Sequence, residues 1–367
     1  MRYLDEYRDP AAARTLVREI EGLLARLSPL HPLQIMEFCG GHTHAIFRYG
    51  IHRMLPETVE WVHGPGCPVC VLPRERIDAA IDLALEHNVI LACFGDVLRV
   101  PGTHGSLLQA RGQGAAVQIV YSPLDALGLA RKHPDRQVVF FAIGFETTAP
   151  ATAFTLLQAA AEAIPNFSVL CQHITTPQAV RSLLTDSQLR LDGIIAPGHV
   201  CTVLGVEALR FIADDFQLPV VVSGFEPLDI LQSLWMLLRQ FDQGRCTLEN
   251  QYPRVARQQG SPQARAAIEQ VFEPAPAANW RGLGNIPGSS LRLRQDYAGF
   301  DAERRFTLSA RTVSDDPTPC GEVLKGRLRP SQCPYFGDRC RPETPLGALM
   351  VSSEGACAAW YRYGRQV

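Results

Sequence analysis

The chain of 367 residues has no apolar run near the roughly 18 residues that a membrane-spanning helix needs. It has almost no excess of either charge. Thirty-five Lys and Arg face 37 Asp and Glu, for a formal net charge of −2. No general attraction to nucleic acid or to an anionic membrane follows from such a balance. The opening MRYLDEYRDP is polar and carries acids, unlike a secretory signal. No loop after an apolar strand-like run has the glycine pattern of a dinucleotide site or a P-loop, so no tightly bound nucleotide is expected. These absences together predict a cytoplasmic protein.

Cysteine is abundant instead: eleven residues, an odd number. In a reducing compartment that count favours metal binding or redox work over a disulfide scaffold. Cys93 in ILACFGD and Cys171 in FSVLCQH sit in apolar strand-like runs and read as small core residues. Cys246 lies in a polar segment and carries no assignment.

Hydrophobic spacing organises the rest. Apolar positions Leu16, Val17, Ile20, Leu23, Leu24 and Leu27 predict an amphipathic N-terminal helix within residues 1–28. Buried strands are expected at NVILACFGD, VQIVYSP, QVVFFAIG, FSVLCQH, DGIIAPG and PVVVSG, with amphipathic helices between them. Such alternation predicts parallel sheets covered on both faces, and the length calls for more than one domain. The expected division is an α/β domain over 29–130, a second over 131–245, and a cysteine-bearing C-terminal region over 246–367. Loops 94–102, 144–150 and 196–205 should share the carboxyl edge of a sheet, where ligands bind in such folds. Gly-Phe-Glu recurs at 144–146 and 224–226; Glu146 and Glu226 read either as site residues or as helix caps.

Three sulfur constellations stand out. VHGPGCPVCVLP puts Cys67 and Cys70 in a stiff loop just before a helix. That pair fits half a zinc site, a redox dithiol, part of an iron site or an inert loop, and a helix N-terminus would depress a thiol pKa. EFCGGHTH places Cys39 at a strand end with His42 and His44 behind it. Thiolate and imidazole suit a first-row transition metal, although both histidines would also serve as helix caps. The tail holds Cys320, Cys333, Cys340 and Cys357 in a turn-rich segment, a set that suits zinc or an iron–sulfur cluster.

The long motifs CGGHTH (39–44), HGPGCPVCVLP (63–73), CFGDVLRVPG (93–102), GFETTAP (144–150), PGHV (197–200), GFEPLDILQ (224–232), WRGLG (280–284) and the stretch from Cys333 to Trp360 resemble the HypD family of [NiFe] hydrogenase maturation factors. The resemblance runs from about residue 30 to the C-terminus. It implies two Rossmann-like parallel-sheet α/β domains and a small C-terminal iron–sulfur domain. It implies a scaffold that works with a HypC-type chaperone and with HypE, with HypF upstream. On that scaffold an iron ion would receive cyanide and carbon monoxide, and the Fe(CN)2CO unit would pass to the hydrogenase large subunit. Carried over position by position, Cys39 would hold the iron beside His42 and His44. Cys67 and Cys70 would be the redox pair, and Cys320, Cys333, Cys340 and Cys357 would ligate a [4Fe–4S] cluster. Cys201 stands where serine is common after PGHV and has no assigned role. The alternative is a stand-alone iron–sulfur thiol–disulfide oxidoreductase.

Overall fold

Strand pairing, more than strand position, defines the architecture. A computed structural model of the chain describes residues 5–308 and 316–364. In chain order the main strands are β1 (Leu33–Glu37), β2 (Val59–His63), β3 (Ile90–Cys93), β4 (Val117–Ile119), β5 (Val138–Gly144), β6 (Phe167–His173), β7 (Gly193–Pro197), β8 (Val220–Ser223) and β9 (Leu248–Asn250). The first sheet has the order β2-β1-β7-β8-β9 and the second β4-β3-β5-β6, and every neighbouring pair in both is parallel.

This membership departs from the expected segments. Strands β1 and β2 of 29–130 join the first sheet, whereas β3 and β4 join the second. Likewise β5 and β6 of 131–245 belong to the second sheet, and β7 and β8 to the first. The chain leaves one sheet after β2, completes the other, and returns at β7. Local periodicity is blind to that excursion, because a buried parallel strand looks the same in either sheet.

Alternation within each strand feeds two cores. In β5, Val139, Phe141 and Ile143 pack on one face of the second sheet, and Val138, Phe140 and Ala142 on the other. Cys93 lies in the first of these cores, fully buried as expected. In the first sheet Ile35, Ile195 and Val221 meet the N-terminal helix α1 (Pro10–Leu27) and the helix Pro227–Asp242. Met36, Ile194, Val220 and Val222 face the opposite layer. Each such side chain contributes about 1.5–3 kcal/mol on burial.

Local signals set the helix starts. Asp9 accepts the amide of Ala11 at 2.8 Å, and Pro10 opens α1. Ser122 and Asp125 close a capping box at Pro123–Lys132. Glu226 caps the helix that begins at Pro227. Glu146 serves a helix too, though not the one that follows it in sequence. Its carboxylate accepts the Thr176 amide and hydroxyl at 2.7 and 2.8 Å, at the start of Thr176–Leu184.

After β9 two short antiparallel pairs form, Phe272–Pro274 with Leu291–Leu293 and Ala277–Trp280 with Gly284–Pro287. The C-terminal region then packs on loops that leave β1, β2 and β3. Among the described residues no helix is long and apolar enough to cross a membrane.

Candidate functional site

Two loops leave the carboxyl ends of neighbouring strands and lock together. Cys39 follows β1 and is the N-cap of helix α2 (Gly40–Arg48), with extended backbone angles. The HGPGCPVC loop follows β2. The Gly40 amide donates to the Gly66 carbonyl at 3.0 Å, and the Gly64 amide to the Glu37 carbonyl at 2.9 Å. Gly66 lies so close to the other loop that a Cβ there would fall 2.3 Å from the Cys39 nitrogen. Only glycine permits this approach. Cys67 is the next residue along this loop.

The tail supplies the third wall. Glu354 packs on Gly40, and the position of a Gly355 Cβ would lie 3.1 Å from the Cys70 sulfur. The neighbouring Ser352 hydroxyl donates to Asp96 at 2.9 Å, and Arg99 donates to the Val351 carbonyl at 2.9 Å. His44 Nδ1 donates to the Ser353 carbonyl at 3.3 Å. Residues 351–355 thus join the Cys39 motif, the CPVC loop and the 94–102 loop. The WRGLG segment ties them from behind: the Arg281 amide donates to Val71, its guanidinium pairs with Asp316, and the same group donates to Pro101 at 2.8 Å.

Beneath the cleft lies a carboxylate that sequence reasoning missed. Glu37 is fully buried. It accepts the Cys39 amide at 2.8 Å, His63 Nδ1 at 2.8 Å and the Thr43 hydroxyl. A Glu before CGG and a His ending a mixed strand carry no sequence signal of their own. Glu354 was equally silent, since only folding brings the tail to residue 40.

The electrostatics are those of a poorly solvated, electron-rich pocket. Burial pushes the Cys39 thiol well up, the charges of Glu354 and Glu37 add to this, and the amides of Gly41 and His42 oppose it. Glu354 is itself raised by burial and by Asp96 and Glu37. Burial lowers His42, which is neutral. Its Nε2 donates to the Gly224 carbonyl at 2.9 Å, and its buried Nδ1 has no protein partner.

For the CPVC pair the structure corrects an expectation. The helix Arg74–Glu86 begins at the Pro73 cap, as the sequence predicts. Yet the Cys70 thiol is not depressed by it. Burial raises this thiol well above its usual value, with Cys67, Glu354 and Cys320 adding to the effect. Cys67 and Cys70 are 4% and 1% exposed, and desolvation outweighs a helix end several residues away.

The four tail cysteines come together. Cys320, Cys333, Cys340 and Cys357 border one pocket with Tyr335, Phe336, Leu349 and Met350. Burial raises Cys320 to about 11, and it raises Cys357 well above the usual thiol range, where the other three cysteines add to the shift. Cys67, Cys70, Cys320, Cys340 and Cys357 share one apolar cluster, so this pocket and the cleft are continuous in packing. Among the described residues no three His, Cys, Asp or Glu side chains converge on a point that would hold a single ion. Cys201 is buried core, and Cys171 donates to the Leu291 carbonyl at 3.4 Å, so neither enters the site.

Fold and site together define a two-sheet α/β protein whose loops assemble a thiol cleft against a four-cysteine pocket. Residues 11–364 match the profile of the HypD family, described as the hydrogenase formation hypA family. The chain is 52% identical over 371 residues to the hydrogenase maturation factor HypD of Rhodobacter capsulatus, covering 99% of this chain and 98% of that one. It is 53% identical over 369 residues to HypD of Escherichia coli (strain K12), covering 100% and 99%. With HypD of Azotobacter vinelandii the identity is 51% over 373 residues, covering 100% and 98%. The chain belongs to the HypD family of hydrogenase maturation factors.

Proposed function

We propose that the cleft holds an iron ion, as substrate, while cyanide and carbon monoxide are attached, and that the Fe(CN)2CO unit then leaves for a [NiFe] hydrogenase. The partners would be a HypC-type chaperone and HypE, with HypF supplying HypE. The observation that carries this reading is the seating of the Gly66 backbone on Cys39, which gathers one thiol and a dithiol under a shared carboxylate rim.

The chemistry follows from the environment. A bare Cys39 keeps its proton, because burial and two carboxylates disfavour the thiolate. A ferrous ion replaces that proton on the soft sulfur and compensates the negative rim. The Glu37 carboxylate fixes the Cys39 backbone through its amide, so the sulfur is preorganised. Cys67 and Cys70 can release two electrons and two protons on forming a disulfide, and the reverse step takes them up. The four tail thiols fit a [4Fe–4S] cluster in number, softness and apolar surroundings, and such a cluster would supply one-electron redox chemistry beside the pair.

A stand-alone thiol–disulfide oxidoreductase fits less well. Its attacking thiol should be accessible and acidic, whereas Cys70 is buried and raised.

Infrared spectroscopy tests the proposal. The chain, co-produced anaerobically with the other maturation proteins, should show cyanide and carbonyl stretches. Cys39→Ala should lose them while retaining the iron and sulfide of the tail. Unchanged bands in that variant, or none in the wild type, would overturn the reading.

A further inference from the structure

Two motifs, PGHV and GFEPLDILQ, have no part in the chemistry above, yet the structure brings both to the Cys39 loop. Phe225 lies between two imidazoles. His42 stacks on it at 4.5 Å and 17°, and His199 at 3.8 Å and 21°. Tyr252 meets the Phe225 ring edge-on at 6.2 Å and 86°. The buried end of this stack adjoins the thiol. A Cβ placed on Gly41 would lie 2.9 Å from Phe225 Cδ1 and 3.7 Å from Cys39 Sγ, so ring and sulfur flank the same point. At the other end His199 is exposed.

We infer that the His42–Phe225–His199 stack is a gate over Cys39: Phe225 covers one side of the partly exposed thiol and fixes the His42 ring, and His199 clamps Phe225 from the solvent side. The inference deepens the iron-site reading and rests on it for its purpose, although the gate itself can be tested without iron.

The physical case has three parts. Stacked rings are stabilised by offset packing of this geometry, and both imidazoles are favoured in the neutral form, which stacks without a desolvation penalty for charge. The His42 orientation matters because its Nε2–H is committed to the Gly224 carbonyl, leaving Nδ1 as a buried lone pair with no donor. An orphan acceptor of this kind is costly and is retained where a ligand or a fixed geometry needs it. Finally, Gly224 precedes Phe225 in the chain, so one turn supplies both the ring that holds His42 and the carbonyl that sets its tautomer. Phe225 and His199 are positioning residues: Phe225 packs on His42, His199, Tyr252 and Gly41, and His199 reaches the site only through Phe225.

The test uses the metal-free full chain under anaerobic conditions. Alkylation of Cys39 by N-ethylmaleimide is followed by peptide mass spectrometry, with Cys246 as an internal reference. In Phe225→Ala the Cys39 rate should rise about tenfold, which corresponds to ~1.4 kcal/mol of lost closure, with Cys246 unchanged. His199→Ala alters an exposed residue, keeps the fold, and should give a smaller rise in the same direction. Phe225→Tyr should restore the wild-type rate. Nitrogen-15 spectra of histidine-labelled protein should show His42 as a single Nε2–H tautomer in the wild type and Phe225→Tyr, and as a mixture in Phe225→Ala. Wild-type alkylation rates in both alanine variants would overturn the gate, as would an unchanged His42 tautomer in Phe225→Ala. If Phe225→Ala does not fold, the His199→Ala rate alone decides. Loss of the infrared bands is irrelevant to these readouts, so a failed gate and a failed iron site are told apart.

Discussion

Replacing Gly66 with alanine probes the joint on which the cleft depends. The new Cβ would fall 2.3 Å from the Cys39 nitrogen and 2.4 Å from both the Cys39 Cα and the Phe38 carbonyl carbon, where ordinary contact begins at 3.4 Å. All three obstacles are backbone, so no side-chain rotation relieves them. The loop must retreat by about 1 Å, which strains the Gly40 amide bond to the Gly66 carbonyl. Overpacking typically costs about 1–3 kcal/mol, and three simultaneous backbone overlaps place this variant near ~3 kcal/mol. Anaerobic guanidinium denaturation measures it. Gly112→Ala is the comparison: nothing lies within 4 Å of its Cβ, and its φ is not positive. That variant should be neutral or stabilised by up to ~1 kcal/mol. Gly66→Ala should also load less iron at Cys39, because Cys67 moves with the loop. A Gly66→Ala protein with wild-type stability and wild-type iron at Cys39 would refute the argument that this contact assembles the site.

If the tail holds the proposed cluster, Cys340→Ala should lose tail-bound iron and sulfide and loosen residues 316–364 to proteolysis; a fully assembled cluster in that variant would contradict the four-ligand set. Glu146→Gln should reveal a pH-dependent stability difference. Burial raises Glu146 from 4.5 to about 7. Between those values the unfolded chain ionises while the folded chain keeps its proton, so the wild type loses stability as pH rises, by at most ~3 kcal/mol, and no further above about 7. Gln does not titrate, and its advantage over Glu should therefore grow from pH 4.5 to 7; urea midpoints that run parallel across this range would refute the assignment.

Much of the fold was legible because parallel strands buried on both faces read as plain apolar runs. QVVFFAIG and DGIIAPG announced β5 and β7 in this way. Strand β2, VEWVH, did not: Glu60 and His63 break its short apolar run, and its identity as a strand comes from pairing with β1 along its whole length. Sheet membership was hidden for a related reason, since no local feature tells Ile35 that its partner is Gly193. The cysteine motifs were conspicuous through composition and spacing. Their carboxylates were not, because Glu37 and Glu354 act through positions that only the folded chain brings together. The raised Cys70 thiol was missed because a helix end is visible in sequence, whereas the depth of burial that outweighs it is not.

The wandering path of the chain has a consequence for how the protein is born. Strand β1 can pair with β2 early, but it cannot find its other neighbour, β7, until Gly193 has left the ribosome, and Glu354 follows later still. At about 5–20 residues per second, the first thiol waits roughly 8–30 s for its strand's second partner and longer for the rim above it. Nascent chains therefore expose loose cysteines but no finished pocket. Stray metal meets only weak, mobile ligands until the C-terminal segment threads into place and turns a growing polypeptide into an acceptor.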